Sequence, residues 1–78
     1  MRPEDVILSK SIMSELTRRR INTGGLRVTV SMGIVRIEGV LRRIRGDNRD
    51  LNAEIERARD IIKRKPGVRD VVINVKVR

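Results

Sequence analysis

Cysteine, histidine and all three aromatic residues are absent from this 78-residue sequence, and each absence closes off a kind of chemistry. Without cysteine there is no thiolate nucleophile, no disulfide and no soft metal ligand, and the redox compartment leaves no mark. Without histidine the commonest general base near neutral pH is missing, and so is the commonest zinc ligand. A non-enzymatic chain follows as the expectation, with no catalytic residues, no metal site and no cofactor. The lack of Trp, Tyr and Phe removes the stacking platforms that sequence-tolerant single-strand nucleic-acid binding uses. It also leaves Ile, Leu and Val to build the core, which favours a sheet with helices packed on one side. No apolar run is long enough to span a bilayer, and Met1-Arg2-Pro3 opens no signal peptide. As written, the chain is expected to stay in the cytoplasm; a chain trimmed of its leader would read the same way.

Positive charge is what the sequence has in excess. Nineteen basic residues stand against ten acidic ones, for a formal net charge of +9, and fifteen of the nineteen are arginine. Arginine presents a planar fork of donors that matches phosphate and carboxylate geometry, which lysine does not. A polyanionic partner is one implication. A heat-adapted surface rich in ion pairs is the other.

The length allows one domain, 1–78, with a single thin core. Pro3, Glu4 and Asp5 suit the first turn of a helix, where a missing donor costs nothing and acids face the positive end of the dipole. Leu8, Ile12 and Leu16 then mark one helical face, and Arg18, Arg19 and Arg20 close it. Asn22-Thr23-Gly24-Gly25 is expected to break the helix, with the glycines in a C-capping role. Leu26, Val28 and Val30 alternate with polar residues, as do Val35, Ile37, Gly39 and Leu41, with a turn at Ser31-Met32-Gly33; this reads as an antiparallel hairpin. After the basic stretch Arg42-Arg43-Ile44-Arg45-Gly46, Asp47 is the expected N-cap of a second helix, with Asp50 in its first turn. Leu51, Ile55, Ala58 and Ile62 form its apolar stripe, which ends at Lys63-Arg64-Lys65 before Pro66-Gly67. Val71, Ile73, Val75 and Val77 give a third strand. The fold class is α+β, in the order αββαβ: a three-stranded sheet with two helices packed on one face.

Several of these residues resemble the BON domain, the bacterial osmotic-shock and nodulation type of domain. The matching marks are Asp5 followed by Leu8, Ile12 and Leu16, the run Gly33-Ile34-Val35-Arg36-Ile37-Glu38-Gly39, Ala58, and Pro66-Gly67-Val68-Arg69-Asp70-Val71. The resemblance covers nearly the whole chain and implies the αββαβ fold. It also implies contact with phospholipid surfaces or envelope proteins, often in the periplasm or envelope, and supplies no catalytic residues to carry over. Three departures stand out. Met32 replaces the Asn often found before the hairpin glycine, the Arg42–Asn48 connection is long, and the domain is single rather than tandem.

Connectivity predicts where the charges go. Both the end of the first helix and the end of the second strand should lie at the pole where the second helix starts and the third strand finishes. Arg18, Arg19, Arg20, Arg42, Arg43, Arg45 and Arg78 are therefore expected to gather there as an anion-binding set, beside free N–H groups at the start of the second helix. The sheet face turned away from the helices should carry Arg27, Thr29, Ile34, Arg36, Glu38, Val40, Val72, Asn74 and Lys76. The third strand, if it lies at a sheet edge, offers a route to weak homo-oligomers. The expected partners are anionic lipid headgroups or an acidic protein. Nucleic-acid phosphate backbones and a self-associating scaffold are the alternatives. Gly24-Gly25 is no phosphate loop, because no Lys-Ser/Thr follows it. Glu54, Glu56 and Asp60 lie among Arg57 and Arg59 and are expected to form ion pairs rather than a cation site.

Overall fold

A computed structural model describes residues 3–78. Helix α1 (Pro3–Arg18) leads through a single 3-10 turn (Thr23–Gly25) into strands β1 (Leu26–Ser31) and β2 (Ile34–Leu41). Helix α2 (Leu51–Lys63) and strand β3 (Asp70–Val77) follow. This is the predicted αββαβ order. The sheet runs β1-β2-β3, with β1 antiparallel to β2 and β2 parallel to β3. A parallel pair cannot be joined by a tight turn, so α2 serves as the crossover between β2 and β3.

Apolar periodicity decides which faces meet. On α1, Ile12 and Leu16 are fully buried and Leu8 packs at the margin of the core. On α2, Leu51, Ile55, Ala58 and Ile62 recur at helical spacing, and all four are buried. The sheet answers with Val30, Val35, Ile37, Leu41 and Val71. With aromatics absent, the largest fully buried side chains are Ile12, Leu16, Ile37, Leu41, Ile62 and Val35. Each Leu or Ile so buried contributes about 1.5–3 kcal/mol relative to exposure. No buried side-chain polar atom lacks a partner among the described residues.

The hairpin turns on two residues, Met32 (φ 52°) and Gly33 (φ 81°). Two successive positive φ values make a type I′ turn, whose twist matches that of the flanking strands. Gly33 is tied to its place twice over, because a Cβ there would also strike the Gly67 carbonyl and the Arg69 side chain, each under 3.0 Å away.

Two expectations about helix ends are corrected. Helix α2 is capped by Asp50, not Asp47: the Asp50 carboxylate accepts from the N–H groups of Asn52 and Ala53. The Asp47 carboxylate is taken up instead by the backbone N–H and guanidinium of Arg49, so the helix begins later. Helix α1 ends before Gly24-Gly25, with Arg20 in the left-handed region (φ 58°). The Arg20 N–H donates to the Thr17 carbonyl and the Ile21 N–H to the Leu16 carbonyl, a Schellman arrangement. Ile21 is buried with Leu16, and that contact turns the chain early. The glycines instead form the 3-10 turn, with the Asn22 side chain accepting from the Gly24 N–H.

Candidate functional site

The end of α1, the start of β1, the end of β2, the start of α2 and the end of β3 share one pole of a molecule measuring 38 × 20 × 20 Å. Arg18, Arg19 and Arg20 reach it from α1, Arg42, Arg43 and Arg45 from the connection after β2, and Arg78 from the end of β3. The two strand ends are locked together. The Arg78 N–H donates to the Leu41 carbonyl, and the Arg43 N–H donates to the Arg78 carbonyl. Arg20 and Arg45 line one open hollow of ≈ 530 Å³, together with Ile44, Gly46, Asp47, Asn48 and Arg49.

The seven arginines divide by what holds them. Arg19 is inserted between two carboxylates, 3.2 Å from Glu15 and 3.8 Å from Glu54, and its side chain is only 25 % exposed. The Arg43 guanidinium donates to the carbonyls of Asp47 and Arg49, folding its own loop. Arg18 is 3.8 Å from Glu15 but stays largely in solvent. Arg20, Arg42, Arg45 and Arg78 are exposed and make no ion pair among the described residues.

Arg49 organises the pole, and sequence reasoning passed over it. Its guanidinium donates to the Arg19 carbonyl at 2.8 Å and the Arg20 carbonyl at 2.9 Å, while its other edge grips the Asp47 carboxylate at 2.8–3.1 Å. It thereby satisfies carbonyls left over at the end of α1 and pins the Arg42–Asp50 connection against that helix. The side-chain hydrogen bond from Arg49 and the second one from its backbone N–H hold Asp47 down at about 2, from an ordinary value of 3.8. The same partner raises Arg49 further above its already high value. The one available signal was the pair Asp47 and Arg49 flanking a single residue in a loop that must cross the end of a helix.

The start of α2 differs from expectation. Its N–H groups at Asn52 and Ala53 already belong to the Asp50 carboxylate, and Glu54 stands in the first turn. The helix end is therefore self-neutralised and is not an open anion seat. Glu54 also binds Arg57 at 2.8 Å, and Glu56 lies 3.7 Å from Arg59, so these two acids form ion pairs as expected, whereas Asp60 forms none among the described residues.

Ile44 is the other residue missed. It is 44 % exposed, stands between Arg43 and Arg45, and lines the hollow with Arg20. At the opposite pole one hollow of ≈ 340 Å³ is lined by Glu4, Asp5, Ile7, Leu8, Ser11, Lys65, Pro66 and Gly67, with Lys65 bonded to Ser11, and a neighbouring one of ≈ 520 Å³ is lined by Glu4, Asp5, Met32, Gly33, Gly67, Val68 and Arg69, so that acids face the cations there. No described helix is long and apolar enough to cross a membrane. Comparison with known proteins finds no matching family model, no matching curated protein and no matching solved structure.

Proposed function

We propose that this chain is a non-enzymatic binding module that docks on anionic phospholipid headgroups through its arginine pole. The observation that carries this reading is the set Arg20, Arg42, Arg45 and Arg78, exposed at one pole and in no ion pair among the described residues, with Arg20 and Arg45 lining a hollow that also presents Ile44. Guanidinium groups bind phosphate, and a single aliphatic side chain between them suits the boundary between headgroups and acyl chains. A phosphate backbone in nucleic acid would use the charges but has no apolar layer for Ile44. The resemblance to BON domains points the same way.

Backbone strain gives further support. Arg20 occupies a left-handed position that intrinsic preference assigns to glycine, and a non-glycine residue there costs about 1–2 kcal/mol. The arginine that bears that cost sits at the rim of the hollow. Binding is superficial and reversible, because the chain has no interfacial Trp and each basic residue near an anionic leaflet contributes only about 1 kcal/mol.

Co-sedimentation with phosphatidylglycerol vesicles and with neutral phosphatidylcholine vesicles tests the proposal. Binding to the anionic vesicles is expected at low salt and release at high salt, as screening demands. The double substitution Arg42→Gln and Arg45→Gln should weaken it about 30-fold, at about 1 kcal/mol each. Ile44→Ser, which removes the apolar side chain without changing the charge, should weaken vesicle binding while leaving capture of a DNA oligonucleotide unchanged. No sedimentation at low salt sinks the proposal. Oligonucleotide binding without vesicle binding transfers the pole to nucleic acid, and binding to neither leaves an acidic protein as the partner class.

A further inference from the structure

Among the described residues strand β3 is paired on one side only, with β2 as its neighbour in the sheet. Such edges are ordinarily blunted by proline, bulges or inward charges, because unpaired backbone groups invite another strand. β3 runs regularly for eight residues, DVVINVKV, with five Val or Ile and no proline. We propose that β3 pairs antiparallel with β3 of a second copy of this chain, about a two-fold axis at Asn74, joining two three-stranded sheets into one. The inference is independent of the lipid reading.

Backbone phase supports this register. Arg78 directs both its N–H and its C=O to β2, so even-numbered residues of β3 face β2. Alternation then turns the backbone groups of Val71, Ile73, Val75 and Val77 toward the open side. With Asn74 on the axis, Val71 meets Val77 of the second copy and Ile73 meets Val75, so every outward residue is used. The Val71 N–H is at present held by the Asp70 carboxylate at 2.8 Å, which must swing aside.

The side chains are self-complementary in that register. On the inner face the opposed pairs are all Val or Ile. A shallow cleft between α2 and β3, lined by Ile55, Ile73, Val75 and Val77 with Asn52 and Glu56, continues that apolar layer to the edge. On the outer face Asp70 lies opposite Arg78 and diagonal to Lys76 of the second copy, at both ends of the ribbon. The two Asn74 side chains face each other. β1, the other edge, is shorter, and its outward set Arg27, Thr29 and Ser31 contains no carboxylate to answer its cation.

Because each copy carries +9, association is opposed by net repulsion and should strengthen with added salt, the reverse of vesicle binding. The chain has no cysteine, so single cysteines report the register cleanly. Asn74→Cys places two thiols across a close pair, whereas Val72→Cys faces Lys76 of the second copy. Under mild oxidation the Asn74→Cys protein should cross-link about tenfold faster than Val72→Cys, and faster still in high salt. Sedimentation of the unmodified chain at rising concentration should show the mass double. The Ile73, Val75 and Val77 amides should gain exchange protection in parallel. A mass that stays monomeric at millimolar concentration and high salt overturns the proposal, as do equal cross-linking rates. Protection of those amides only on adding another protein assigns the edge to a different occupant. A pole that binds no lipid changes none of these readings.

Discussion

Two non-glycine residues hold positive φ, and they do so for different reasons. Met32 occupies the first position of the type I′ hairpin and is 67 % exposed, outside the buried core. Asparagine adopts that conformation more readily, so Met32→Asn should stabilise the fold by about 0.5–1 kcal/mol, read as a higher midpoint of urea unfolding. Arg20 is the opposite case. Arg20→Gly should also stabilise, by about 1 kcal/mol from relieved strain, yet weaken binding to anionic vesicles about fivefold. A variant that gains stability without losing vesicle affinity would remove Arg20 from the binding set.

Among the elements, the Arg42–Asp50 connection depends most on a single pair of side chains. Asp47 is depressed by its bonds with Arg49, so its contribution to stability is fully present above the unfolded value near 3.8 and is lost as pH falls through about 2. Between those limits the clamp on the α1 carbonyls should loosen. Protection factors of the amides in residues 43–49, the exchange rates corrected for the intrinsic chemical rate at each pH, are expected to fall as pH falls over that window and to stay constant from pH 5 to 8. Asp47→Asn should give the lowered protection already at pH 7. If its exchange matches the unaltered chain, the Asp47–Arg49 link is not what holds the loop.

For the whole molecule the governing quantity is net charge. At +9 on 78 residues, self-repulsion opposes compactness. Against it stand the carboxylates that knit the pole, above all Glu54, which reaches Arg19, Arg49 and Arg57 from α2. Glu54 is only 13 % exposed, but its contacts with Arg19 and Arg49 are long, at 3.8 and 3.9 Å, and its close partner Arg57 is largely in solvent, so each pair is worth about 0–1 kcal/mol. Repulsion should therefore prevail at low ionic strength. Raising salt at neutral pH and micromolar protein should raise the unfolding temperature; a fall would mean that the Glu54 network outweighs the net charge. Micromolar protein keeps association through β3 from contributing to the shift.

Local pattern sufficed for much of this molecule. The alternation of Val and Ile, the three- and four-residue spacing on the two helices and the glycine after Met32 each act over a few residues, and they determined the elements, their order and the apolar face of each. The sum of charges was likewise legible, and with the connectivity it sent seven arginines to one end. What tertiary structure decided was how those arginines are employed. Arg49 bonds to carbonyls 29 and 30 residues away, Arg19 lies against an acid on the other helix, and the second helix is closed by Asp50 rather than left open to an anion. Unpaired backbone groups at helix ends compete with any external ligand for charged side chains. Which side wins depends on distances that exist only once the chain has folded.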